Sequence, residues 1–176
     1  EANIAALENG AHGLCFSSGL GAMDTLLKLL SPGDEIISTN DLYGGSYRLI
    51  TRVYGRFGIK SHFINLNDTV QLEKLITPRT RMIWIETPTN PMLSIVDIRK
   101  VARIANKYGI ITCVDNTFAS PFLQQPLNLG ADIVIDYKKD DFETILKDYD
   151  VVLNSQDTQT LEKSLCILKP DGKLIS

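Results

Sequence analysis

The sequence is poor in the residues that build metal centres and disulfide frameworks. It has three cysteines and two histidines among 176 residues, and no cysteine has the C-x-x-C spacing of zinc or redox sites. Each cysteine lies in an apolar run, so we expect Cys15, Cys113 and Cys166 to be buried as small hydrophobic residues. His12 and His62 form no pattern with them. The sequence therefore predicts neither a metal site nor a cysteine nucleophile.

Long apolar runs and basic runs are also absent. No stretch approaches the ~20 apolar residues needed to span a bilayer, and the first residues, EANIAALENG, read as an amphipathic helix rather than a signal peptide. The net charge is −3, and no lysine or arginine run makes a basic stripe. We therefore expect a cytoplasmic protein that binds neither membranes nor nucleic acids.

Arginine and glycine are unevenly distributed along the chain. All seven arginines precede position 104, whereas residues 136–176 contain six lysines, nine acidic residues and one glycine, Gly172. This last segment carries the whole net charge of −3. The shift hints that residues 136–176 differ in origin from the rest of the chain.

Short β-branched runs alternate with helical patterns throughout. The predicted strands are HGLCF, EIIST, KSHFINL, RMIWIE, IITCV, DIVI, DVVL and KLIS. The continuous apolar run of RMIWIE predicts burial on both faces. No linker interrupts the alternation. We therefore predict a single α/β domain over residues 1–176, with a doubly wound, mostly parallel sheet and helices on both faces in three layers.

Polar segments follow several predicted strands, at the edge where such sheets bind ligands. FSSGLGAM places Ser17, Ser18 and Gly19 between a strand and a helix, where backbone N–H groups can bind a phosphate. The segment is neither a P-loop nor a dinucleotide fingerprint. A serine-capped turn is the alternative interpretation.

Three further segments offer groups that suit a flat, charged ring. Asp115 directly follows IITCV, so its carboxylate either pairs with a cationic ring nitrogen or caps the next segment. Asn90 lies in a stiff, proline-rich turn. Tyr43 precedes two glycines, and its ring either covers a ligand or packs against the strand edge.

Together these motifs resemble the pyridoxal-phosphate (PLP) enzymes of cysteine and methionine metabolism, such as cystathionine γ-synthase, the cystathionine lyases and methionine γ-lyase. The resemblance covers residues 1–135, through ALENG, SSGLGAM, DLYGGSYRL, WIETPTNP, VDNTFASP and QPLNLGADIVI. Gly21 departs from the alanine usual there. The resemblance implies that the backbone N–H groups of Gly19 and Leu20 bind the phosphate, and we expect Ser17 and Ser18 to belong to the same cofactor pocket. It assigns ring stacking to Tyr43, the ring nitrogen to Asp115, the ring hydroxyl to Asn90 and the ring face to Thr117.

The resemblance ends where this family continues with a His-Ser-Ala-Thr-Lys pattern, whose lysine forms the Schiff base. Aligned without a gap, Asp140 takes the lysine position, and Tyr137 and Lys139 replace the phosphate-binding hydroxyls. Lys138 and Lys139 are the candidates for a recruited lysine. Their alternative is two solvated loop lysines, because neighbouring side chains of a strand point to opposite faces.

Residues 130–176 resemble a second family, the medium-chain dehydrogenase/reductases of the quinone oxidoreductase branch. The segments GADIVIDY, DYDVVL, TLEKSL and LKPDGKLIS match the second half of a nucleotide-binding domain. The glycine-rich phosphate turn belongs to the first half, so we do not expect NADP to bind. We predict a splice near residues 130–136, with the second segment covering the sheet edge that the first leaves.

Three functions are compatible with this sequence. The leading hypothesis is an engineered chimera, or a rearranged gene, that lacks native turnover and keeps a vestigial phosphate or PLP pocket. The second is a PLP-dependent C–S lyase or transferase that uses Lys138 or Lys139, and the third is the remnant of an NADP-binding reductase. The expected partner is a small phosphate-bearing ligand, and exposed apolar patches would favour self-association.

Overall fold

The structure is a computed structural model that describes residues 1–135, 149–153 and 168–175. Its contacts divide the chain into two compact units, Glu1–Lys138 and Lys139–Ser176. The predicted single domain across the splice stays a prediction. The candidate lysines Lys138 and Lys139 lie outside the described residues, as do Asp140 and Cys166.

The first unit alternates helices and strands. Its helices are α1 (Ala2–Glu8), α2 (Gly19–Leu27), α3 (Gly44–Arg48), α4 (Thr69–Leu75), α5 (Ile98–Tyr108) and α6 (Ser120–Leu123). Its strands are β1 (Glu35–Thr39), β2 (Lys60–Ile64), β3 (Thr80–Glu86), β4 (Ile111–Asp115) and β5 (Ile133–Ile135). A π-helical turn (Leu49–Val53) and a 3-10 turn (Tyr54–Phe57) continue α3, and another 3-10 turn spans Pro126–Leu129.

The five strands form one parallel sheet in the order β2-β1-β3-β4-β5. The chain passes outward from β1 to β2, and then crosses back to place β3 on the other side of β1. The strand order therefore reverses between β1 and β3, which opens a crevice at their carboxyl ends. This topology confirms the predicted α/β class with a mostly parallel sheet.

Both faces of the sheet are buried, because successive side chains of each strand point to opposite sides. On one face, Trp84 of β3 packs with Met23 and Leu27 of α2. On the other, Ile83 and Ile85 pack with residues of α4 and α5. The predicted burial of RMIWIE on both faces is confirmed.

The predicted strand HGLCF is wrong. Residues 12–16 join no sheet in the described part of the chain, and Leu14 is 73% exposed. Apolar residues alone do not make a strand, because its backbone groups need a neighbour to pair with. Cys15, expected to be buried, is exposed for the same reason, whereas Cys113 in β4 is buried as expected.

The second unit contains two described strands, β6 (Tyr149–Leu153) and β7 (Leu168–Ile175). They pair in parallel and include the predicted segments DVVL and most of KLIS. No helix in the described ranges is long and apolar enough to cross a membrane.

Gly109, which ends α5, allows a clean test of backbone conformation. It has a left-handed φ of 66°, and an added Cβ would meet no atom within 4 Å. We expect Gly109→Ala to lower the free energy of unfolding by about 1 kcal/mol, because only the backbone is strained. Gly109→Asn should lose less, since asparagine tolerates this conformation. Urea unfolding followed by circular dichroism measures both, and an alanine variant as stable as the parent would contradict this account.

Candidate functional site

The start of α2 combines a serine cap with free backbone donors. The Ser18 hydroxyl oxygen accepts the Gly21 N–H at 3.0 Å, and the first hydrogen bond along the helix runs from the Ala22 N–H to the Ser18 carbonyl. The N–H groups of Gly19 and Leu20 precede that bond and can therefore donate to an anion. The cap uses the oxygen of Ser18 and leaves its hydroxyl hydrogen to donate. Capping and anion binding are thus compatible here.

Asp115 ends β4 and is half-buried. Its Oδ1 accepts both the backbone N–H of Thr117, at 3.1 Å, and the Thr117 hydroxyl. Burial raises the pKa of Asp115, and the Thr117 hydrogen bonds oppose that rise. Within the described ranges no ion pair involves this carboxylate. Thr117, expected at the ring face, thus lies where it holds Asp115 in place.

Glu86 is the register partner of Asp115 on the neighbouring strand. Alternation along β3 and β4 places both carboxylates on the face of the sheet that carries Trp84 and Cys113, which is the α2 face. Glu86 is buried, and its two oxygens accept the backbone N–H of Tyr43 at 2.9 and 3.1 Å. It therefore links the end of β3 to the loop that follows β1.

The environment of Glu86 favours its neutral form. Burial raises the pKa of Glu86 to about 7, and the charges of Asp115 and Asp41 contribute to the rise. Hydrogen bonds from the backbone N–H groups of Tyr43 and Asn90 oppose it. Burial disfavours the charged form of Glu86, and the neighbouring carboxylates of Asp115 and Asp41 add to that effect, so the pKa of Glu86 lies near neutral pH.

Tyr43 precedes α3 and is half-exposed. Its ring packs over Gly45 so closely that a Cβ at that position would clash with it, and the same Cβ would lie 3.1 Å from Leu20 Cδ1. The tyrosine ring therefore lies near the start of α2. An aromatic ring held in this way can stack on a flat ligand.

Asn90 lies half-buried in the loop after β3. Asp41, in the loop after β1, fixes this loop by accepting the Thr89 hydroxyl and, at 3.1 Å, the Met92 N–H. The Ser94 N–H donates in turn to the Thr89 hydroxyl. The structure thus brings Tyr43, Asn90 and Asp115 to one edge of the sheet.

Sequence reasoning missed two members of the site, Glu86 and Asp41. Glu86 is the final residue of the predicted strand RMIWIE, so the rule that selected Asp115, a polar residue at a strand end, would also have selected it. Asp41 lies in the polar stretch that follows the predicted strand EIIST, but its role was not visible, because its partners lie 48 and 51 positions away in sequence. Of the predicted catalytic candidates, Lys138 and Lys139 lie outside the described residues.

Two family models match the chain. Residues 1–138 match the model described as Cys/Met metabolism PLP-dependent enzyme. The chain belongs to this family. Residues 129–176 match a second model, zinc-binding dehydrogenase. The two matches overlap over residues 129–138, which is where the sequence predicted a splice between two families.

Several characterised proteins are similar to the first segment. Cystathionine γ-lyase of Bacillus subtilis is 48% identical over 135 residues, which are 77% of this chain and 36% of that protein. Cystathionine γ-synthase/O-acetylhomoserine (thiol)-lyase of the same organism is 49% identical over 132 residues, 75% of this chain and 35% of that protein. The chain therefore spans about a third of the length of the curated relatives it matches.

Solved structures share the fold of this segment. The crystal structure of cystathionine γ-lyase from Lactobacillus plantarum, complexed with L-serine, has a TM-score of 0.75 and 48% identity, covering 76% of this chain and 35% of that one. The metB protein of Corynebacterium glutamicum has a TM-score of 0.73 and 46% identity, covering 74% of this chain and 34% of that one.

The described residues fit the family cofactor, PLP. Its phosphate suits the N–H groups of Gly19 and Leu20, and its flat ring suits Tyr43. A protonated pyridine nitrogen would give the half-buried carboxylate of Asp115 the cation that it lacks among the described residues. No group of three or more His, Cys, Asp or Glu side chains in the described ranges could hold a metal ion.

Gly21 is a position where the first turn of α2 can be stabilised. A Cβ there would lie 3.4 Å from Ser18 Oγ and 3.8 Å from Ser17 Oγ, which are ordinary contacts. We expect Gly21→Ala to raise the free energy of unfolding by about 0.5–1 kcal/mol, because glycine costs helices conformational entropy. Gly45→Ala is the contrasting variant and should destabilise, since its Cβ meets the Tyr43 ring. Urea unfolding measures the stability of both variants. A Gly21→Ala protein that is less stable than the parent would contradict this account.

Glu86 should make stability depend on pH. Its folded pKa of about 7 exceeds the ordinary value of 4.5, so the folded state binds the proton more tightly than the unfolded chain. This stabilisation is fully present below pH 4.5 and is lost as the pH rises through 7. Between pH 4.5 and pH 7, we expect the free energy of unfolding to fall by up to about 3 kcal/mol more for the parent than for Glu86→Gln.

Urea unfolding of the two proteins at a series of pH values measures this difference. Asp115, whose pKa is also raised, is present in both proteins and so affects both curves. Parallel stability curves for the parent and Glu86→Gln would show that Glu86 does not titrate in this range.

Proposed function

We propose that this chain binds PLP at the carboxyl edge of its parallel sheet and uses it to transform amino acids of cysteine and methionine metabolism. The observation that carries the proposal is the half-buried carboxylate of Asp115 at the end of β4, on the face of the sheet that packs against α2. Membership of the Cys/Met metabolism family supports it, as does 48% identity to a cystathionine γ-lyase.

Each part of the site has a defined task in this proposal. The N–H groups of Gly19 and Leu20, with the hydroxyls of Ser17 and Ser18, bind the phosphate. Tyr43 covers one face of the ring and Asn90 binds its hydroxyl oxygen. Asp115, held by Thr117, keeps a proton on the ring nitrogen. When bound, PLP with a protonated ring supplies an electron sink for a carbanion at the substrate α-carbon.

We propose Lys138 or Lys139 as the lysine that attaches to the cofactor. The sheet delivers the chain close to Asp115, because Ile135 of β5 is its register partner and accepts the Asn116 N–H at 2.7 Å. Lys138 and Lys139 follow Ile135 by three and four residues, a length that can span at most about 10–14 Å. Neither lysine can therefore lie farther along the backbone than this from the strand end that adjoins Asp115.

The competing hypothesis is a chimera, engineered or rearranged, whose pocket no longer turns over substrate. It rests on Asp140 at the position of the family lysine. Self-association through exposed apolar side chains, such as Phe122 and Leu123, and a single hybrid domain are further proposals. The leading proposal differs from this hypothesis in requiring both a specific covalent attachment of PLP and turnover of substrate.

A PLP titration followed by visible absorbance tests this proposal. We expect a saturable band that borohydride reduction fixes on Lys138 or Lys139, as read by peptide mapping, and that Asp115→Ala abolishes. Lys28→Arg is the matched control, because Lys28 is an exposed lysine paired with Asp24 and should not change the band. Turnover of L-cysteine or an L-homoserine derivative should follow attachment. Label scattered over surface lysines and unaffected by Asp115→Ala would overturn the proposal.

A further inference from the structure

Two carboxylates connect the segments that follow β1 and β3 at the switch point. Asp41, after β1, accepts hydrogen bonds from Thr89 and Met92 in the loop after β3. Glu86, at the end of β3, accepts the N–H of Tyr43 in the loop after β1. Each segment therefore supplies a carboxylate that accepts hydrogen bonds from the other segment. We call the pair Asp41 and Glu86 the reciprocal clamp.

The clamp acts where the sheet stops joining these two segments. The register pairing of β1 with β3 ends at Ser38 and Trp84, before either loop begins. Beyond that point, hydrogen bonds from backbone N–H groups and from the Thr89 hydroxyl to carboxylates connect the two segments, and such bonds are stronger when the acceptor is ionised. The bond from Tyr43 is shared between both oxygens of Glu86, which also fixes the direction of the N–H.

Both loops carry a group of the proposed cofactor site. Tyr43 is itself the residue that Glu86 holds, and Asn90 lies between Thr89 and Met92, the two residues that Asp41 holds. Gly45 leaves the Tyr43 ring room to pack over the backbone. The clamp thus fixes the spacing between the ring that would stack and the amide that would bind the ring hydroxyl.

We propose that Asp41 and Glu86 are positioning residues that hold Tyr43 and Asn90 in their cofactor-binding arrangement before the cofactor enters. This inference rests on the proposed PLP site for its purpose, but the contacts themselves exist in the protein alone. Preorganised ligand groups bind more tightly because less ordering remains to be done on binding.

The clamp should respond to pH through Glu86. The groups that face Glu86 in the described structure are Asp115 from β4, Asp41 from the loop after β1, and the N–H groups of Tyr43 and Asn90. The hydrogen bond from Tyr43 favours the ionised form of Glu86. By linkage, ionising Glu86 strengthens that bond, so local opening at the Tyr43 amide should become rarer as the pH rises through about 7, although the same ionisation lowers the free energy of global unfolding.

Amide hydrogen exchange of the cofactor-free protein tests the clamp directly. We expect Glu86→Ala to speed exchange at the Tyr43 amide by about tenfold or more, relative to its intrinsic rate, because a charged acceptor is lost. Asp97→Ala is the matched control: Asp97 also accepts a backbone N–H, at the start of α5, but lies outside the proposed site. It should leave Tyr43 exchange within about twofold.

A conservative variant, Glu86→Gln, separates the effect of the charge from that of the side chain's shape. Glu86→Gln keeps an oxygen acceptor, so it should restore part of the protection while removing its dependence on pH. It also serves if Glu86→Ala does not fold, together with Asp41→Asn, which should speed exchange at the Met92 amide. Unchanged Tyr43 exchange in Glu86→Ala, or a pH profile in Glu86→Gln like that of the parent, would overturn the clamp.

PLP affinity, measured by absorbance, then tests whether the clamp strengthens cofactor binding. We expect Glu86→Ala and Asp41→Asn to weaken PLP binding by about tenfold, and Asp97→Ala to leave it unchanged. If the parent protein does not bind PLP, the proposed function fails, and the exchange data still decide whether the clamp exists. If PLP binds equally to all variants while exchange changes, the clamp does not position the site and the inference is wrong.

Discussion

Glu86, which is buried, and Asp115, which is half-buried, are register partners at the carboxyl ends of β3 and β4, and the site is arranged around these two carboxylates. Parallel pairing forces the two carboxylates onto one face of the sheet, and burial makes it costly for both to ionise. That cost is reduced by backbone N–H donors on Glu86 and by Thr117 on Asp115. It would be reduced further by a cation beside Asp115, which is the charge that a protonated pyridine ring provides.

The sheet also explains why the other groups meet there. The strand order reverses between β1 and β3, so the loops that carry Tyr43 and Asn90 leave the sheet side by side. Among the described residues, the N–H groups of Gly19 and Leu20 at the N-terminal turn of α2 have no hydrogen-bond acceptor, and the Tyr43 ring lies near Leu20 at that turn. The chain that follows β5 starts beside Asp115. It is in this chain that the match to the PLP family gives way to the dehydrogenase match.

Local pattern was sufficient for most of the fold and for part of the site. Strand-end polarity identified Asp115, and the serine-glycine turn identified the start of α2, because both signals lie within a few residues. The strand predicted for HGLCF was wrong, since an apolar run becomes a strand only where a partner strand is available. Asp41 was missed because its partners belong to another loop, 48 and 51 positions away. Only the folded sheet brings Asp41 close to these partners.

The protonation state of the ring nitrogen in bound PLP tests the central claim most directly. Nitrogen-15 NMR of the protein loaded with ring-labelled PLP reports whether that nitrogen carries a proton. We predict a protonated nitrogen in the parent protein and an unprotonated one in Asp115→Asn, which keeps the side chain's size and removes its charge. An unprotonated nitrogen in the parent, or no difference between the two proteins, would contradict the account.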